Sequence, residues 1–413
     1  MTTPLPTDPF QAVRITEFRN FAIARFLFIM GLRMMGTLVG WWMYELTGDP
    51  LALGLIGLAE VIPAVSMALY AGHVVDQSDR RNMIIRSVLS YGVCVALLVF
   101  ISTAYFEQQF GKATIISLVY VVIFVTGIIR AFSGPSFGAI ISQLVPRPVL
   151  PNAVTWSQGT WLTASVTGHA LAGFLIAGFG ITGTLTAIIL SIALALLIFT
   201  TVDNKPAPAQ AEKKTWESVK EGIRFVYKTK EVLSVLVLDM FAVLFGGAVA
   251  MVPVFAKDIL KVGPIGFGWL NAAADFGAIV IVVLLTVFPL RKQQGKLLLY
   301  AVAGFGVCII IFGISQLFWL SFMALFLAGL LDGISIVVRG TILQLKTPDE
   351  LRGRVMSVNS MFINSSNELG QFESGIAARL MGVVPSVIFG GCMTVAVVIA
   401  TWLKAPRLRK LEY

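Results

Sequence analysis

The chain has 413 residues, of which 57% are hydrophobic and 13% charged, and it carries a net charge of +9. Soluble domains carry about 25% charged residues, so the composition argues against a soluble globular protein. The charge that remains is gathered into short stretches between apolar runs of roughly 20 residues, the length a helix needs to cross about 30 Å of hydrocarbon.

The first residues, MTTPLPTDPFQAVRITEFRN, lack a basic region followed by an apolar core and do not read as a cleaved signal peptide. The first apolar segment is expected to serve as an uncleaved one. Spans are expected at 18–46, 51–75, 83–103, 114–143, 152–178 and 182–202, then at 231–257, 265–288, 295–315, 318–346, 352–380 and 384–404. They are too long and too uniformly apolar for barrel strands. The fold class expected is an all-α integral membrane protein, with twelve transmembrane helices in two pseudo-symmetric six-helix halves, 1–202 and 231–413.

The halves are joined by 203–230, a Pro/Ala/Lys linker followed by a stretch with helical spacing. Trp216, Val219, Ile223, Val226 and Tyr227 form an apolar face, with Lys220, Arg224 and Lys228 on other faces. That pattern suits a helix at the inner membrane surface, tethering one half to the other.

Basic residues set the orientation. Of the 31 Lys and Arg, 23 fall on the side that holds both termini, 4 on the other side and 4 within spans (Arg25, Arg33, Arg130, Arg339). Both termini are therefore expected in the cytoplasm, in a bacterial-type inner membrane. The positive charge reports topology and gives no reason to expect a nucleic-acid partner. Cys94, Cys308 and Cys392 lie in apolar runs and read as small buried hydrophobes.

The turn after the second expected span reads Gly72-His-Val-Val-Asp76-Gln-Ser-Asp79-Arg80-Arg81. A small residue permits close helix packing at the membrane edge, and an acid followed by two bases makes a charge cluster that forms in one arrangement and breaks in another. Here the chain resembles the major facilitator superfamily, whose signature in this loop is a Gly, an Asp four residues later and a basic pair. The loop departs from that pattern at Gln77 and Asp79, and its second-half counterpart, Phe288–Lys292, retains only basic residues. The resemblance implies that Gly72, Asp76, Arg80 and Arg81 help stabilise an outward-facing state.

Arg130-Ala-Phe-Ser-Gly-Pro135, Leu351-Arg352-Gly353-Arg354 and Leu369-Gly370-Gln371-Phe372-Glu373-Ser374-Gly375 narrow the resemblance to the branch that includes enterobactin-type siderophore exporters. It implies proton-coupled efflux of a siderophore or another amphipathic small molecule by a protein able to work as a monomer. A glycine ladder, Gly168, Gly173, Gly178 and Gly180, runs along the fifth expected span, with His169 where antiporters of the superfamily often have Pro.

Ionisable groups within spans are costly and need a partner, a wet cavity or a function. Arg25, Glu60, Arg130 and His169 lie in the first half, and Asp239, Asp275, Asp332, Arg339, Glu368 and Glu373 in the second. Static interhelical ion pairs are one reading. The other is a cavity with a basic wall (Arg25, Arg130) suited to an anionic cargo and an acidic wall (Asp239, Asp275, Asp332, Glu368) suited to protons. Glu60 and Glu368 lead the candidate proton carriers, with Asp275 and Asp332 next. Trp41, Trp42 and Tyr44 are expected in an interfacial belt, while Trp156 and Trp161 suit a belt, packing or a cargo path.

An exporter is thus the first reading, uptake by symport or lysophospholipid flipping the second, and a non-transporting sensor or scaffold the third. No phosphate loop, metal-ligand cluster or nucleophile–base arrangement stands out, which argues against an enzyme and implies neither cofactor nor metal. The longest loop leaves no room for a nucleotide-binding domain, so energy is expected to come from a gradient.

Overall fold

A computed structural model describes residues 8–204, 216–288, 293–409 and 411, with the backbone alone described at 68, 69, 72, 73, 76, 77, 216–219, 286, 287, 349, 350 and 357. The helices are α1 (Gln11–Arg14), α2 (Thr16–Thr47), α3 (Pro50–Gln77), α4 (Arg80–Ile101), α5 (Ala104–Leu144), α6 (Leu150–Phe199), α7 (Trp216–Lys228) and α8 (Lys230–Phe245). They continue as α9 (Val252–Val254), α10 (Gly263–Val287), α11 (Gln294–Ile314), α12 (Phe318–Lys346), α13 (Asp349–Met381), α14 (Val383–Lys404) and α15 (Pro406–Arg409). A 3-10 turn, Gly247–Met251, links α8 to α9, and a π-helical segment, Phe255–Ile259, follows it. No strand occurs among the described residues.

Helices keep backbone polar groups satisfied in lipid, and hydroxyls inside them are satisfied the same way. Thr167 donates to the Thr163 carbonyl at 2.7 Å and Thr394 to that of Gly390 at 3.0 Å. Ten segments of the described chain are long and apolar enough to cross a membrane. One of them contains α6, in which Gly180 at φ 66°, ψ −168° separates two helices. That conformation favours glycine, and it falls between the spans expected at 152–178 and 182–202. Helix α13 has 33 residues but is too polar to be among the ten.

By packing, the chain divides into two compact units, residues 1–36 with 62–212 and residues 37–61 with 213–413. The boundary runs through α2 and α3, so the α2–α3 turn belongs by contact with the second half of the sequence. In the first unit Phe28 stacks on Phe137 at 5.5 Å and meets Tyr91 edge-on at 5.4 Å. In the second, Val235, Leu238 and Ala242 of α8 join Leu298, Leu299 and Val302 of α11 with Val338 and Ile342 of α12 in one apolar core.

Three aromatic residues depart from expectation. Trp41, Trp42 and Tyr44 are buried rather than set out in a belt. Trp41 packs on Phe267 at 5.3 Å, and the Tyr44 hydroxyl donates to Asp258 in the π segment. Of the cysteines, all free, Cys94 and Cys308 are buried as expected, but Cys392 is exposed.

Helix α7 also differs from its sequence reading. Its apolar face is covered by protein, with Ile223, Phe225 and Val226 packed against Val232, Leu236, Leu343, Val355 and Val358. Gly222 makes the approach possible, since a Cβ there would come within 3.1 Å of Arg354 Cβ. Glu221 pairs with the Arg354 guanidinium. Tyr227, expected on the apolar face, is 66% exposed.

Candidate functional site

Three constellations account for most of the ionisable residues singled out by the sequence. The first lies in the second unit, where Asp239 of α8 pairs with Arg339 of α12. A small cavity beside the pair is lined by Asp239, Val302, Phe305, Asp332 and Ser335 among others. Asp332, Ser335 and Arg339 share one face of α12 because helical residues three to four and seven apart align. Asp275 of α10 is near enough to act electrostatically on Asp332. Glycines bring these helices together, because a Cβ on Gly277 would lie 2.7 Å from Leu330 N and one on Gly329 would strike the backbone of Ala274. The Ser335 hydroxyl is buried without a hydrogen-bond partner among the described residues. The second unit therefore holds one buried ion pair, Asp239 with Arg339, with Asp332 lining the cavity beside it and Asp275 within electrostatic reach of Asp332.

The second constellation is the contact between α3 and α13. Gly54 faces Gly375 and Gly57 faces the backbone of Glu368, so that a Cβ at Gly57 would sit 2.7 Å from the Glu368 carbonyl oxygen. The helices run antiparallel here, so Glu60, one turn beyond Gly57, lies past Glu368 toward the start of α13. Glu368 is buried and accepts from Gln371 Nε2 at 3.1 Å. Glu373, on the same helix and half-buried, hydrogen-bonds Ser374. Near the other end of this region Arg379 lies 3.6 Å from Asp49.

The third lies in the first unit. Arg25 donates from Nη1 to Ser157 Oγ, its guanidinium stands 5.9 Å from the Phe137 ring, and its Nε is buried without a partner among the described residues. Arg33 covers the Trp161 ring at 4.9 Å. Gly168 is where α6 crosses α2, since a Cβ would come 2.6 Å from the Met30 carbonyl oxygen, and His169 is half-buried beside it. Arg130 is half-buried in α5, five residues before Pro135. Trp156 donates to the Pro9 carbonyl at 2.8 Å and so fastens the N-terminal segment.

In the turn between α3 and α4, Asp79 caps α4 by accepting from Asn82 N at 3.0 Å. Asp79, one of the two residues that depart from the superfamily signature, is thus a helix cap. Arg80 donates to the Ala139 carbonyl at 3.0 Å, and Arg81 to the Thr200 carbonyl at 2.8 Å and to Asn204 at 3.1 Å. Arg81 thereby covers the C-terminal end of α6, where carbonyls lack partners and a cation is favoured. The Asp76 side chain and residues 289–292 of the second-half loop lie outside the described residues, and Gly72 is described by its backbone alone.

Sequence reading did not single out Ser157, Ser335 or Asp258. Serines are unremarkable in apolar runs, although Ser335, between Asp332 and Arg339 on one face, carried a positional signal. Asp258 sits near the end of its span and read as a loop residue.

A family model described as transmembrane secretion effector matches residues 7–412. The chain belongs to the major facilitator superfamily. The transporter is 23% identical over 353 residues to the multidrug resistance protein MdtG of Escherichia fergusonii, covering 82% of this chain and 81% of the relative. It is 22% identical to the enterobactin exporter EntS of Shigella boydii serotype 4 over 342 residues, covering 82% and 79%. Among solved structures it resembles the nucleoside transporter NupG, with a TM-score of 0.74 and 12% identity over 94% of this chain and 98% of that one. It also resembles a D-xylose-proton symporter, with a TM-score of 0.73 and 11% identity over 98% and 100%. The transporter is accordingly a multi-pass membrane protein of the expected helical fold, and it moves a small molecule rather than transforming one.

Proposed function

We propose that this transporter exports a siderophore-like or drug-like amphipathic small molecule from the cytoplasm in exchange for protons. Residues 1–202 and 231–413 serve as the halves of an alternating-access cycle, with twelve spans and both termini in the cytoplasm of a bacterial-type inner membrane. The observation that carries the export reading is the alignment, over about four-fifths of both chains, with relatives named as a multidrug resistance protein and an enterobactin exporter. Proton coupling is supported by Asp332, which lines the cavity beside the Asp239–Arg339 pair, with Asp275 within electrostatic reach of it. Glu60 and Glu368, on the two helices joined by the glycine contact of α3 and α13, are the second candidate carriers. Arg25 and Arg130 provide positive charge suited to an anionic cargo, and the Gly72–Arg81 turn acts as the conformational gate.

The test uses inverted membrane vesicles containing the full chain. Accumulation of a catecholate siderophore, a lipophilic cation and a lysophospholipid is followed with an imposed proton gradient and after its collapse. Gradient-dependent accumulation of the catecholate or the cation, lost in Asp332→Asn or Glu368→Gln, is expected. Accumulation of neither, by folded protein in vesicles that hold a gradient, overturns the export reading and moves the same fold to uptake or lipid movement.

A further inference from the structure

We infer that α7 is a docking surface for anionic lipid headgroups, through an exposed stripe of Lys220, Arg224, Tyr227 and Lys228. The argument begins with what α7 has already committed. Its apolar side is closed against α8, α12 and α13, and its acid Glu221 is paired with Arg354. The rotation of the helix about its axis is therefore fixed by protein contacts, and what faces outward is set by sequence. Lys220, Arg224, Tyr227 and Lys228 are exposed, and their spacing of four, three and one residues places them within one stripe. None of the three cations has an ion-pair partner among the described residues.

The chain that follows points to the level of this stripe. Lys228 ends α7, and the membrane-crossing segment Lys230–Ile259 begins two residues later. With that segment in the membrane, the last turn of α7 comes to the headgroup layer, where Tyr is favoured with its ring among the headgroups and Lys and Arg meet lipid phosphates. A phosphodiester headgroup carries the complementary charge and sits at that depth on any leaflet containing anionic lipid. Docking would hold the α7–α13 contact at Gly222 and Arg354, and so bias the helix that carries Glu368. None of this depends on the direction of transport.

The test follows hydrogen exchange in the full-length transporter reconstituted in phosphatidylcholine, with and without phosphatidylglycerol, at low and high salt. Anionic lipid should slow exchange across 220–230 by roughly fivefold for each engaged cation, and high salt should reverse the gain. The variant Lys220→Gln/Arg224→Gln/Lys228→Gln should lose the response. Arg86→Gln/Lys404→Gln/Arg407→Gln, which removes as much charge from exposed residues elsewhere, should keep it. An equal response in the α7 variant, loss of the response in the control, or the same protection from inorganic phosphate in phosphatidylcholine alone would overturn the inference.

Discussion

Arg339 of α12 and Asp239 of α8 form an ion pair inside the second unit, with side chains only 5% and 10% exposed. Such a pair is weak evidence of stability, because desolvating both charges offsets much of their attraction, but breaking it leaves one charge stranded. Asp239→Asn or Arg339→Gln alone should therefore lower stability by about 3–5 kcal/mol. The double variant should recover most of that loss. Unfolding of the purified protein in detergent measures both. A double variant as unstable as the sum of the singles would mean that the residues do not act as a pair.

Arg81 tests the α3–α4 turn in a different way. Its bonds to the Thr200 carbonyl and Asn204 hold the end of α6 to the start of α4. Arg81→Gln removes a charge-assisted bond to a helix end and should cost about 1–2 kcal/mol, with Arg81→Lys restoring part of it. Asp79→Ala, which removes the cap of α4, should cost about 1 kcal/mol. If transport falls while both variants keep wild-type melting temperatures, the turn acts in the cycle rather than in holding the helices.

Tyr44 offers a local test near the C-terminal end of α2. Its hydroxyl donates to Asp258, and Lys257 Nζ stands 5.6 Å from its ring. Tyr44→Phe keeps the ring and removes the hydroxyl, so it should cost about 1–2 kcal/mol. Tyr44→Ala should cost more by losing a buried ring as well. Equal melting temperatures for Tyr44→Phe and wild type would leave the hydrogen bond without energetic weight.

The helical membrane fold was legible because charge is sparse and apolar runs have the length of a bilayer, and the ionisable residues were legible because each interrupts such a run. Their partners were not. Asp239 and Arg339 are a hundred positions apart, and nothing local distinguishes that pairing from Asp332 with Arg339 on one helix. Trp41 and Tyr44 read as interfacial from their place near a span end, but an aromatic next to water and one covered by another helix look alike in sequence. The apolar face of α7 was legible as a face, whereas its occupant depends on Gly222 meeting Arg354, a tertiary fact. Asp79 looked like a defect in a signature because a family pattern does not reveal which residue caps the next helix.

The contact between α3 and α13 yields a prediction that separates glycine as a space-maker from glycine as a weak helix former. A Cβ at Gly57 would lie 2.7 Å from the Glu368 carbonyl oxygen and 2.9 Å from Gln371 Cβ, whereas Gly36 has nothing within 4 Å of where its Cβ would be. Both sit inside long helices, so replacing either with Ala brings the same gain in helix propensity, about 1 kcal/mol. At Gly36 that gain should appear in full as a higher melting temperature. At Gly57 it should be outweighed by overpacking, which costs typically 1–3 kcal/mol, and the displaced backbone of Glu368 should reduce transport at unchanged protein amount. A Gly57→Ala variant that melts like Gly36→Ala and transports like wild type would show that α3 and α13 do not need this close approach.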